Sequence, residues 1–300
     1  MKHEGQGELW RCDGNERSKF IIKRTKIKEV LNQQYAQKMG ISVPKVFGWC
    51  IDSTDNDWVW MVMEFVKGKR LENVYEHNVS SYRDVFEDAV ATLAKIHSSK
   101  RILKWFCSDA RKLFEVETSE IRKRVEMIKK AFGEYKMYKK ESGLEAVVTQ
   151  EKIETLQGDV NPQDLGRKLF IESEMVFQHG DYKPNNIVIS GPVIVAILDW
   201  PLSGPGTPWY DLAYLFADVK FEDAKPFIKN YVDHAHAQGL LSSINKHDAY
   251  KLFRMGRIYQ EIVRANSNAT IILQPKKPKP HNIEQYEIGM ESALRFLNSG

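Results

Sequence analysis

The chain opens with stretches whose apolar residues cluster as strands and then passes into stretches with helical spacing. Ser18-Lys19-Phe20-Ile21-Ile22-Lys23 and residues 57–65, Asp57-Trp58-Val59-Trp60-Met61-Val62-Met63-Glu64-Phe65, are rich in β-branched and aromatic side chains and predict strands. Between them Ile27, Val30, Leu31, Tyr35 and Met39 predict a helix over 26–39, and Pro44 forces an extended exit. After Gly68 the spacing is helical. Ser81 is placed as an N-cap, with Asp84 three residues on, ahead of Val85, Phe86, Ala89, Val90, Leu93 and Ile96. Residues 117–142 are dominated by Lys, Arg and Glu and predict a solvated helix. A second β region spans 175–199, and helical spacing resumes at Asp211. Gln274 to Pro280 reads as a loop. The pattern predicts an α+β chain in two lobes, a small β-rich one over 1–67 and a larger, mainly helical one over 68–300.

Composition narrows the setting more than the function. The chain is 42% hydrophobic, enough for a sizeable core, and its formal charge of +4 gives no reason to expect a nucleic-acid partner. Cys12, Cys50 and Cys107 are widely spaced and odd in number, which argues against a disulfide framework or structural zinc and fits a reducing compartment. Met1-Lys2-His3-Glu4-Gly5 lacks the apolar run of a secretory leader, and Ile187–Leu198 is too short and interrupted to span a bilayer. The expectation is a soluble cytoplasmic protein with no membrane partner; the sequence is silent on oligomeric state.

Candidate chemistry lies between His179 and Asp211. His179-Gly180-Asp181-Tyr182-Lys183-Pro184-Asn185-Asn186 precedes two β runs, 187–190 and 193–198, separated by Gly191-Pro192, which predicts a hairpin. With that loop Asn186 lies opposite Ile197 and Asp199 just beyond it, so an amide oxygen and a carboxylate share one hairpin end. Together they suit a hard cation such as magnesium, which takes one or two carboxylates and fills its other positions with water and phosphate. Asp181, entering the hairpin, is placed to accept a proton from an attacking hydroxyl. Singly, Asp181 and Asn185 also fit as turn residues and Asp199 as a strand end; the ordered set points to function.

His179-Gly180-Asp181, Asn186 five residues later, and Ile197-Leu198-Asp199-Trp200 resemble the signature of the aminoglycoside phosphotransferase and choline kinase superfamily, whose fold is similar to that of protein kinases. The resemblance implies ATP and Mg2+ as cofactors and a small hydroxyl-bearing substrate. It implies that Asp181 is the catalytic base, that Asn186 and Asp199 are metal ligands, and that Asp211, in Trp209-Tyr210-Asp211-Leu212-Ala213, braces the catalytic loop. Lys183 stands either as a phosphate contact or as a surface lysine. Lys23 matches the strand lysine that holds nucleotide phosphates, Glu29 its helix partner, Glu64 and Val66 the adenine-pairing hinge, and Gly5-Gln6-Gly7 the phosphate-covering loop. Other segments, among them Leu93-Ala94-Lys95-Ile96-His97-Ser98, resemble the branch found fused to acyl-CoA dehydrogenases, which implies a hydroxy-acid or hydroxyacyl-thioester acceptor.

Two departures from that pattern stand out. The first strand is short or absent, and only six residues separate Lys23 from Glu29, a cramped span for an ion pair. They motivate an alternative reading as a pseudokinase scaffold. A protein kinase proper ranks last, because Gly180 and Trp200 stand where its loops carry arginine and Phe-Gly. His97 reads as a core histidine, and Trp200, Trp209 and Tyr210 as packing or an aromatic acceptor wall. Arg254, Arg257 and Arg264 read as a solvated face or an anion contact. Acceptor specificity is expected in loops over 98–120 and 265–285.

Overall fold

A computed structural model describes residues 2–3, 9–13, 19–75, 79–99, 110–274 and 279–298. Strands β1 (Lys2–His3), β2 (Leu9–Asp13), β3 (Lys19–Lys26), β4 (Val46–Ile51) and β5 (Trp58–Glu64) form an antiparallel sheet in the order β1-β2-β3-β5-β4. The first strand is two residues long, as short as expected.

Register decides which way the chemistry faces. Lys23 lies opposite Met61 and Thr25 opposite Val59, and opposed residues share a face of the sheet. Met61 and Val59 are buried with Val30 of helix α1 (Ile27–Lys38), with Ile27, Val46 and Met63 packed around them. Each of these three buried side chains contributes about 1.5–3 kcal/mol of hydrophobic stabilisation. Lys23 and Thr25 therefore point to the helix-covered face, whereas Trp60 on the other face meets Trp10 at 5.0 Å. Helix α1 begins at the residue after β3, so no loop intervenes.

Beyond the sheet come β6 (Lys69–Arg70), α2 (Glu72–Tyr75) and α3 (Arg83–His97). A 3₁₀ turn over Val79–Tyr82 displaces the predicted cap: Tyr82, not Ser81, holds the N-cap position and makes no side-chain bond there. The predicted apolar face of α3, Val85 through Ile96, is buried. Helices α4 (Ala110–Glu141), α5 (Gln150–Asp159) and α6 (Pro162–Arg167) follow, the last two capped by Thr149 and Asn161. Then come β7 (Val176–Gln178), β8 (Ile187–Ser190), β9 (Val193–Ile197), β10 (Gly204–Gly206), α7 (Pro208–Leu215), α8 (Phe221–Ala237), α9 (Lys246–Ile272) and α10 (Pro280–Asn298). Strand β10 pairs with β7, and β6, β8 and β9 form a small sheet.

The stretches 98–120 and 265–285, expected as loops, are largely helical where they are described: 110–120 lies in α4, 265–272 in α9 and 280–285 in α10. Residues 275–278 of the Pro/Lys segment lie outside the described residues. The chain divides into two compact units, Met1–Phe106 with Val176–Ser243, and Cys107–Met175 with Ile244–Gly300. No helix among the described residues is long and apolar enough to cross a membrane.

Candidate active site

The β8–β9 hairpin forms, with one correction to its register. Ser190 faces Val193 and Ile189 faces Ile194, but Val188 then faces Ala196, and Ile187, not Asn186, faces Ile197. Val195 is bulged out, which advances β9 by one residue. Asn186 is thereby brought opposite Leu198, whose N–H donates to the Asn186 carbonyl at 2.8 Å. Asp199 follows directly, so the bulge sets the carboxylate one step nearer the asparagine than a regular ladder does.

Asp199 itself has a left-handed backbone, φ 69°, a conformation that costs most residues about 1–2 kcal/mol and Asp or Asn somewhat less. The segment after it is pinned from three sides. Asn32 Nδ2 of α1 donates to the carbonyls of Trp200 (3.1 Å) and Ser203 (3.3 Å). Trp200 Nε1 donates to the Ile197 carbonyl at 3.1 Å, and Ser203 Oγ to the His179 carbonyl at 2.9 Å. So held, Asp199 Oδ1 meets Lys23 Nζ at 2.7 Å.

Lys23 also pairs with Glu29 Oε1 at 2.6 Å, so the span that looks cramped in sequence closes without a loop. It closes because α1 starts at once, which puts Glu29 in its first turn, where a carboxylate is favoured by the helix dipole. Thr25 Oγ1 donates to the other oxygen of Glu29. Burial works to lower the Lys23 pKa; Glu29 and Asp199 more than offset it and hold the ammonium above its ordinary value. Burial likewise works to raise Asp199, but Lys23 wins and its carboxyl lies below the ordinary value.

Asp181, Lys183 and Asn186 form a second knot. Asn186 Nδ2 donates to the Asp181 carbonyl at 2.9 Å and to its Oδ2 at 2.8 Å, and Lys183 Nζ lies 3.0 Å from its Oδ1. Burial pushes the Asp181 carboxyl up, with Lys183 opposing. The two knots join through His179. Its Nδ1 accepts from the Asp181 N–H at 3.2 Å, so the proton sits on Nε2, which donates to the Leu198 carbonyl at 3.0 Å. Burial depresses the imidazole pKa, in keeping with that neutral tautomer.

The loop entering the hairpin is fixed from beneath by Asp211 of α7, which is fully buried. Its Oδ2 accepts from the His179 N–H at 2.6 Å and lies 3.1 Å from His97 Nε2; its Oδ1 accepts from the Gly180 N–H at 2.8 Å. His97 is a core histidine, as its place in the helix suggests, with Nδ1 2.7 Å from the Tyr231 hydroxyl. Gly180 has φ 83°, and a Cβ there would stand 2.6 Å from the Leu202 carbonyl oxygen. Only glycine fits, which is a physical reason for the Gly of His-Gly-Asp.

The donor set fits a hard cation. Both bonds of the Asn186 amide nitrogen go to Asp181, so its oxygen is the end available to a metal, and the Asp199 side chain is 46% exposed. Among the described residues no group of three or more His, Cys, Asp or Glu forms a cage made of protein alone. Magnesium that shares phosphate oxygens does not need one.

Other expected residues stand apart from these knots. Glu64 ends β5; its N–H donates to the Lys45 carbonyl at 2.9 Å, and its side chain accepts from the Lys45 N–H at 3.2 Å. Val66 follows the strand and has no backbone partner among the described residues. Gly5-Gln6-Gly7 lies outside the described residues. Trp200 and Trp209 are fully buried, so they pack rather than line a surface. Arg257 is buried and lies 3.8 Å from Glu261, which takes it off any solvated face, whereas Arg264 is partly exposed and donates to Gln285 at 2.8 Å. Thr25, Asn32 and Ser203 were missed from sequence, since nothing in a lone Thr, Asn or Ser marks the tertiary partner that gives it a role.

The fold recurs in known structures. Choline kinase from Streptococcus pneumoniae superposes with a TM-score of 0.61 at 18% identity, over 99% of this chain and 92% of that one. An ethanolamine kinase from Plasmodium vivax gives 0.54 at 14% identity, over 97% and 84%. A thermostable mutant aminoglycoside phosphotransferase, in a ternary complex with ADP and hygromycin B, gives 0.56 at 11% identity, over 100% and 92%. No curated protein sequence matches the chain. The model of the phosphotransferase enzyme family matches residues 23–250, from the strand lysine through the hairpin and its brace, and the chain belongs to that family.

Proposed function

We propose that this chain is a small-molecule kinase that transfers the γ-phosphate of ATP, with magnesium, to a hydroxyl group of a metabolite. The observation that carries the reading is Lys23, held between Glu29 and Asp199, beside a hairpin end bearing Asp181 and Asn186. In this reading residues 1–67 supply the phosphate-binding lysine and the hinge at Glu64 and Val66. Residues 68–300 supply the base, the metal ligands and the acceptor surface. Asn186 and Asp199 would hold magnesium, which neutralises phosphate charge when bound.

Lys23 grips nucleotide phosphates, its geometry set by Glu29. Asp181 orients the acceptor hydroxyl and takes its proton as the bond to phosphorus forms. Asn186 holds the Asp181 carboxylate from one side and Lys183 neutralises it from the other, so its protonation answers to both. The names of the structural neighbours make amino alcohols and aminoglycosides the first acceptors to try, with hydroxy acids and their thioesters next. A cytoplasmic setting belongs to the same reading.

The test is an ADP-formation screen of purified protein against those acceptor classes, run beside thermal-shift titration with ATP and magnesium. Acceptor-dependent ADP release is the expected result. Stabilisation by nucleotide without turnover on any acceptor would move the reading to a binding scaffold, and neither response would remove both. The cramped Lys23–Glu29 spacing no longer argues for the scaffold, because the pair forms at 2.6 Å.

A further inference from the structure

Residues 68–71, which follow the proposed hinge, are zipped onto the hairpin that carries the site. A Cβ at Gly68 would stand 2.6 Å from both the Ile189 carbonyl oxygen and Val188 Cγ1, so only glycine lets the chain lie this close to β8. In β6, Lys69 and Arg70 pair with Ile189 and Val188. The N–H of the buried Leu71 then donates to the Ile187 carbonyl at 2.8 Å. From this fixed strand the Arg70 guanidinium reaches across and donates from Nη1 to Asn185 Oδ1.

Asn185 sits in a single 3₁₀ turn, Pro184–Asn186, closed by the Asn186 N–H on the Lys183 carbonyl at 2.8 Å. The residues on either side of its tip have anchors outside the loop. Asp211 holds His179 and Gly180, and the Tyr182 hydroxyl donates to the Ala89 carbonyl at 3.0 Å. The Asn186 carbonyl accepts from Leu198. Lys183, Pro184 and Asn185 are held differently. Among the described residues, Arg70 makes the only side-chain hydrogen bond that reaches these three from another part of the chain. The bonds of Lys183 and Asn186 to Asp181 join members of the loop to one another and set no outside frame.

We infer that Arg70 is a positioning residue: it clamps the 183–186 turn in the frame of β6 and β8, and so aims Lys183 at Asp181 and the Asn186 amide oxygen at the metal position. What the turn does rests on the kinase reading; how it is held rests on the Arg70–Asn185 bond. Arg70 is exposed and Asn185 half-buried, so losing their bond leaves the core intact. The cost falls on alignment, where a misplacement of about 1 Å takes up to about 100-fold from turnover. Only Nη1 is engaged, so a lysine, with its donors on a flexible stem, can keep the contact.

The experiment compares the full chain with Arg70→Ala, Arg70→Lys, Asn185→Ala and the double alanine variant. It reads steady-state kinetics, and amide hydrogen exchange of the protein free of nucleotide and metal. Expected in either alanine variant is a fall in kcat of about 10–100-fold, with KM for ATP within about threefold of wild type. The double variant loses no more than the single ones, because each removes the same bond. Arg70→Lys recovers most of the rate, and melting points stay within about 2 °C of wild type. The Asn186 and Ile187 amides, which close the turn, exchange about tenfold faster or more in both alanine variants, while those of α7 keep their rates. Wild-type kcat in Arg70→Ala, or losses that multiply in the double variant, overturn the inference. So does unchanged exchange at residues 186 and 187. If no acceptor is turned over, the kinase reading fails by itself, and exchange alone decides for or against the clamp.

Discussion

Replacing Asp211 by Asn isolates the brace beneath the loop that carries Asp181. In the wild type three donors converge on one buried carboxylate, from His179 and His97 on Oδ2 and from Gly180 on Oδ1. An amide offers one acceptor oxygen. The better orientation keeps that oxygen toward His179 and His97 and turns the NH2 group onto the Gly180 N–H. A buried N–H left facing another donor costs about 1–3 kcal/mol. The two retained bonds lose their charge assistance, about 1 kcal/mol each. The sum is about 3–5 kcal/mol, and at about 2–4 °C per kcal/mol for a unit of this size the Tm falls by roughly 6–20 °C. Scanning calorimetry of the two proteins measures it, with circular dichroism to confirm that the helices persist at low temperature. Turnover falls as well, since the freed Gly180 precedes Asp181. A melt within about 2 °C of the wild type would refute the reasoning, because it would mean that the three bonds carry no net weight.

Gly180→Ala forces a side chain onto the Leu202 backbone at a left-handed position, so kcat drops and Tm falls by several degrees, read from the same melt and an ADP assay. Lys23→Met removes a charge-assisted contact and raises the nucleotide Kd about 10–100-fold, measured by calorimetric titration. In the proposed role Asp181 must be ionised to accept a proton, and its pKa lies above the ordinary 3.8, so the rate should fall on the acid side with a midpoint above that value. Lys183→Ala removes an opposing cation and moves this midpoint further up, an effect moderated by the exposure of Lys183; a pH–rate profile of both proteins checks the sign. The Lys23–Asp199 pair contributes stability from just above the depressed Asp199 pKa to just below the raised Lys23 pKa. Lys23→Met should therefore lower Tm at neutral pH and have a smaller effect at the acid extreme, which melts across pH will show.

The parts of the fold carried by local pattern were legible in the sequence. Apolar spacing found α1, α3, β5 and the β8–β9 hairpin, because each buries one face and so repeats with its own period. The bulge at Val195 was not legible, since the residues of β9 are all apolar and offer no cue as to which is displaced. The Ser81 cap failed because tertiary packing draws residues 79–82 into a 3₁₀ turn ahead of the helix. Strand β4 escaped notice because Gly48 and the bulged Phe47 break its alternation. At the site, Asp181, Asn186 and Asp199 were legible from order and spacing on one hairpin. The Lys23–Glu29 contact needed the strand-to-helix junction, which spacing alone renders ambiguous. Asn32 and Ser203 act through partners more than twenty residues away, and no local pattern records such contacts.

The central claim rests on one carboxylate taking a proton beside the metal-ligand pair. Its most direct measurement is single-turnover transfer of the γ-phosphate from ATP to the best acceptor, wild type against Asp181→Asn, with Tm recorded for both. The account predicts a loss of about 10²–10⁴-fold in the variant at nearly unchanged Tm. Equal transfer rates in two equally folded proteins would contradict it.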